Sequence, residues 1–103
     1  MRAGQSTIEK RAEYAIPSGV GSPVKVSLAH KLNELIDMRG LNQSEVAEII
    51  GMTQPKVSQI RRCQLQNISL ERLLQALVSL GQRVEIVVEP APDVRASGIR
   101  VTQ

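Results

Sequence analysis

Apolar residues fall into two rhythms along this chain. From Ser27 to Leu80 they recur at intervals of three and four, the spacing of one helical face; from Gln82 to Glu89 they alternate with polar residues, the spacing of a strand. Leu28, Leu32, Leu35 and Ile36 share one face, with Ser27 placed to cap it and Gly40 to end it, so a first helix is expected over about 28–39. Asn42 followed by Glu45 has the form of a capping box with Asn in place of Ser or Thr. Val46, Ala47, Ile49 and Ile50 then form an apolar face that stops at Gly51, predicting a short helix over about 43–50. Thr53 is placed to cap a third helix, about 54–62, that carries Pro55 in its first turn, where a missing N–H costs nothing. Val57 and Ile60 are the inward residues of that helix.

CQLQNI (63–68) reads as a loop. Ser69 then caps a fourth helix whose apolar positions are Leu70, Leu73, Leu74, Leu77, Val78 and Leu80. Glu71 in its first turn suits the helix dipole, and Gly81 ends it. In QRVEIVVE, Val84, Ile86 and Val88 share one face of the expected strand; Pro90 and Pro92 stop it. No second strong strand follows at hairpin distance, although Ile99–Val101 has the character of a short one. A lone strand leaves a row of backbone groups unpaired. Pairing with the same strand of a second copy across a two-fold axis is the economical solution, and it would enlarge a small core. In residues 1–26, TIEKRAEYA has the makings of a short helix capped by Ser6 and ended at Ile16-Pro17, and SGVGSP reads as a linker. The expected division is an N-terminal extension and linker over 1–26, a helical domain over 27–81, a dimerisation strand over 82–90 and a tail over 91–103.

Composition narrows the chemistry. A chain of 103 residues is one domain at most. The net charge of +3 is spread thinly, except between Gln54 and Arg62, where Lys56, Arg61 and Arg62 stand with no acid among them. A single cysteine, Cys63, excludes an intrachain disulfide and a cysteine-built zinc site; it reads as a small neutral residue after a helix. His30 is the one histidine and reads as a polar face residue of the first helix. Tyr14 is the one aromatic, which argues against platforms that stack single-stranded bases. No paired acids, nucleophile–base set or phosphate loop is present, so no enzyme, metal or cofactor is expected. No apolar run approaches the roughly 18–20 residues that span a membrane. The N-terminus lacks the apolar stretch of a secretory signal, and the expected location is cytoplasmic.

Residues 43–62 carry the functional signal. Ala47 falls where the second and third helices would cross and must be small; Gly51 falls at the turn between them, where a positive φ is needed. With Val57 and Ile60 inward, the third helix presents Gln54, Pro55, Lys56, Ser58, Gln59, Arg61 and Arg62 outward. A recognition helix enters the major groove N-terminus first, so Gln54 and Gln59 are the expected base readers, glutamine being able to pair with both N6 and N7 of adenine. Lys56, Ser58, Arg61 and Arg62 are better placed for phosphates or for a guanine at the edge. Gln43, opening the second helix, suits a phosphate. The bland alternative is a helical hairpin with an ordinary solvated polar face.

The stretch LNQSEVAEIIGMTQPKVSQIRR (41–62) resembles the Cro/C1-type helix-turn-helix family, also called the Xre family. The resemblance covers about residues 28–89. It implies a mainly α fold of four to five helices, with Gln43 on phosphate and Gln54, Pro55 and Gln59 at the bases. Pro55 departs from the polar residue often found there, which restricts it to an apolar contact such as a thymine methyl. ISLERLLQALVSLGQRVEIVVEP (68–90) is similar to the end of HigA-like antitoxins, where a leucine-rich helix leads into a short dimerising strand. That implies a homodimer on a palindromic operator in double-stranded DNA, a bacterial-type nucleoid location and a RelE/HigB-like toxin as partner. Cys63 departs from the glycine usual after the recognition helix, which puts the geometry of that loop in question. A stand-alone regulator of this fold, or an interaction module that has lost DNA binding, are the competing readings.

Overall fold

The structure, a computed structural model, describes residues 23–96 and 98–102. Four helices follow in chain order: α1 (Pro23–Arg39), α2 (Gln43–Ile50), α3 (Gln54–Arg61) and α4 (Leu70–Ser79). A 3-10 turn lies at Val94–Ala96. The helix expected in residues 5–16 lies outside the described residues.

Helix α1 begins at Pro23, several residues earlier than the sequence pattern suggests. Proline is acceptable there because the first turn of a helix has no use for its N–H. Ser27, expected as the cap, lies inside the helix. The added turn contributes Val24 to the core.

The other three helices start where side-chain caps place them. The Asn42 Oδ1 accepts from the Glu45 amide at 2.8 Å and Glu45 Oε1 accepts from the Asn42 amide at 2.9 Å, completing the capping box. Thr53 and Ser69 cap α3 and α4 by accepting from Lys56 N and Arg72 N. Each such cap contributes about 1 kcal/mol by occupying amides that the helix leaves without partners.

All four helices end in a left-handed residue. Three of those residues are glycines: Gly40, Gly51 and Gly81. The fourth is Cys63, with φ of 56°. The Gln64 amide donates to the Gln59 carbonyl at 2.8 Å and the Cys63 amide to the Ile60 carbonyl at 3.0 Å, the pair of bonds of a Schellman turn. The departure from glycine at Cys63 therefore leaves the turn intact and loads it with a side chain in a region costing about 1–2 kcal/mol.

The core is apolar throughout: among the described residues no polar or charged residue is buried. Leu32, Val46, Val57, Ile60, Leu73 and Leu80 are its largest fully enclosed side chains. Helix α1 packs on α3 and α4, and α2 packs on both as well. The 63–68 loop contributes more than the sequence suggests, since Leu65 and Ile68 are buried beneath it. Conversely, Val46 is the buried residue of α2, while Ile49 is exposed and Ala47 and Ile50 are half-buried.

The expected strand is not formed. Residues 82–90 carry no strand assignment, nor do Ile99–Val101, and no strand is present among the described residues. A strand is a paired object whose amides and carbonyls need a neighbour, and among the described residues no ladder is assigned to this segment. The expected shared face also breaks. Val84 and Val87 are half-buried, whereas Ile86 is 75% and Val88 84% exposed. Two-fold pairing of this segment is therefore not a feature of the fold described here.

Candidate nucleic-acid interface

Helices α2 and α3 pack together across the turn 51–53. Gly51 has φ of 72°, and nothing stands within 4 Å of where its Cβ would be. Backbone conformation, not space, is what favours glycine there. The turn is also held from outside, because Arg72 Nη2 on α4 donates to the Gly51 carbonyl at 3.3 Å.

Helix α3 has no acidic residue in its first turn and ends on Arg61. Val57 and Ile60 are buried as expected. Gln54 and Pro55 are exposed at the leading end of α3, and Gln43 is exposed at the start of α2. These three positions are open to a partner.

From Lys56 onward α3 is more committed. Lys56 Nζ donates to the Asn67 carbonyl at 2.8 Å, bracing the loop that follows the helix. Ser58 Oγ accepts from Arg62 Nη2 at 2.8 Å, which ties those two candidates to each other. Gln59 is half-buried, and its Oε1 is enclosed without a hydrogen-bond partner. An enclosed acceptor without a partner costs free energy in this rotamer. Arg61 turns away from the outward face. Its guanidinium bonds Asn33 and Asp37 on α1, with Arg61 Nη2 to Asp37 Oδ1 at 2.7 Å. Arg61, expected from the sequence at a phosphate or the groove edge, is thus engaged with α1 in this structure.

Sequence reasoning missed Asn33, Asp37, Asn67 and Arg72 because nothing local marks them. Asp37 and Asn33 stand 24 and 28 residues from the arginine they hold. Only the packing of α1 on α3 brings them together.

The described residues contain no group of three or more His, Cys, Asp or Glu side chains placed to share a metal ion. No described helix is long and apolar enough to cross a membrane.

Residues 22–89 match the model of a helix-turn-helix domain family, more than half of the chain. A solved structure described as an XRE-family transcriptional regulator is similar at 42% identity with a TM-score of 0.73, covering 78% of this chain and 91% of that one. No curated protein matches. The capped α2–turn–α3 unit, its buried Val57 and Ile60, and a likeness of this extent agree: the chain belongs to the XRE-type helix-turn-helix family.

Proposed function

We propose that this chain is a sequence-specific regulator of transcription that reads double-stranded DNA with α3 and performs no chemistry. The observation that carries the reading is the open leading end of α3, where Gln54 and Pro55 stand exposed on a helix with no acid in its first turn. Family membership supports it, and the similar solved structure is described as a transcriptional regulator. In this reading Gln54 and Gln59 contact bases, and Pro55 meets a thymine methyl. Gln43, Lys56, Ser58 and Arg62 hold phosphates or the groove edge.

The finer reading is a repressor that binds a palindromic operator as a homodimer in the bacterial nucleoid. Its support is the exposed pair Ile86 and Val88, which a second copy would cover while pairing 82–90 as a ladder. The antitoxin reading, with autorepression and a RelE/HigB-like toxin partner, rests on the resemblance of 68–90 alone. A toxin-like frame beside this one would support it; its absence would leave a stand-alone regulator.

Selection of DNA fragments by the purified chain, followed by gel shifts, tests the whole proposal. A preferred sequence should emerge. Gln54→Ala should then lose about 1–3 kcal/mol for that sequence and little for random DNA. No binding to any DNA would return the chain to the class of interaction modules, and equal affinity for all DNA would overturn the sequence-specific reading.

A further inference from the structure

Asp37 is oddly placed by two general rules. It lies in the last turn of α1, where a negative charge opposes the helix dipole. It also sits against the basic end of α3, where an acid repels phosphates. What it does instead is visible in its partner. Arg61 Nη2 donates to Asp37 Oδ1 at 2.7 Å, and Arg61 Nη1 donates to the Asn33 carbonyl at 3.3 Å and to Asn33 Oδ1 at 3.0 Å. Asn33 closes the ring, its Nδ2 donating to the Ile60 carbonyl of α3 at 3.2 Å. One face of α1 thus holds both a side chain and the backbone of the last turn of α3.

Apolar contacts do not supply this kind of restraint. Val57 and Ile60 set how deep α3 lies and which face turns inward, but the hydrophobic effect is non-directional and fixes the rotation about the helix axis only coarsely. A planar guanidinium donating to three acceptor atoms on two residues is directional. Rotation decides where Gln54 and Gln59 point, and a recognition site tolerates only about 10–20° of misorientation.

We propose that Asn33, Asp37 and Arg61 form a polar clamp that sets the rotation of the recognition helix. Arg61 is then a positioning residue rather than a phosphate contact. The inference rests on the DNA-binding reading above and makes a prediction of opposite sign to simple electrostatics. Removing Asp37 raises the net charge and relieves the end of α1, so charge alone predicts tighter DNA binding. The clamp predicts weaker binding to the cognate site.

The test uses the full chain, its selected DNA fragment and a random duplex, titrated over a salt series. The variants are Asp37→Ala, Arg61→Ala, Asp37→Ala/Arg61→Ala and Arg62→Ala. Under the clamp, Asp37→Ala weakens the cognate complex by about tenfold, a loss of about 1.4 kcal/mol, and leaves random DNA unchanged or slightly tighter. The double variant loses no more than Arg61→Ala alone, because both remove one unit. Arg61→Ala keeps the wild-type salt dependence, whereas Arg62→Ala reduces the slope by about one. Equal or tighter cognate binding by Asp37→Ala overturns the proposal. So does a slope reduction in Arg61→Ala matching that of Arg62→Ala. Asp37→Ala places a good helix former at an exposed position, so folding does not confound it. If the wild-type chain prefers no DNA, the DNA reading fails separately. Amide exchange along α3 then decides the clamp, which requires Asp37→Ala to accelerate exchange in the last turn; unchanged exchange overturns it.

Discussion

The helical body over 23–81 and the segment over 82–102 are both rich in apolar residues, yet those residues meet opposite fates. In the body, Leu32, Leu73 and Leu80 are enclosed to within 1% of full burial, and every helix after α1 begins on a side-chain cap. In the segment, Val84 and Val101 lean on the core while Ile86, Val88 and Ile99 stand more than half exposed. A helix closes its own backbone hydrogen bonds and needs only one face covered. An extended segment needs a neighbour for its backbone as well as for its side chains. The same apolar content therefore completes a fold in the first region and leaves an open surface in the second.

The sharpest break between the regions is in stability. Leu73→Ala in α4 removes a fully enclosed side chain and should cost about 2–5 kcal/mol, measured by denaturant unfolding. A loss under about 1 kcal/mol would mean that the body is far less tightly packed than described.

A smaller effect, of opposite sign, comes from the turn after α3. Cys63→Gly relieves the left-handed side chain at φ of 56° and should raise stability by about 0.5–1 kcal/mol, after allowing for the entropy glycine adds to the unfolded chain. A fall in the midpoint of unfolding would show that the Cys63 side chain contributes more through packing than its backbone costs.

The smallest expected effect is in the segment. Ile86→Ala should leave the unfolding of the dilute chain within about 0.5 kcal/mol of wild type. The informative measurement is concentration dependence. If 82–90 pairs between copies, the wild-type melting temperature climbs with concentration and that of Ile86→Ala does not. Two flat profiles would leave the segment without a self-pairing role.

Much of the helical body was legible because its signals are local. The Asn42–Glu45 box, the Thr53 and Ser69 caps and the Gly51 turn each involve residues close in sequence, and all are present as read. The inward pair Val57 and Ile60 followed from helical spacing alone. The start of α1 was misplaced, because Ser27 is a good cap and Pro23 an equally good first residue, and only the burial of Val24 distinguishes them. Leu65 and Ile68 were hidden in a loop with no periodicity to reveal them.

The interface divides along the same line. Sequence determined the outward-facing candidates Gln54 and Pro55 on α3 and the opening position of Gln43 on α2, since helical phase is a property of consecutive residues. It could not show that Gln59 tucks its carbonyl oxygen inward, that Lys56 braces Asn67, or that Arg61 is held by Asn33 and Asp37. Those facts depend on which helix lies against which. A charged side chain chooses among acceptors by distance in space, and its choice becomes readable only once the apolar core has brought α1 and α3 together.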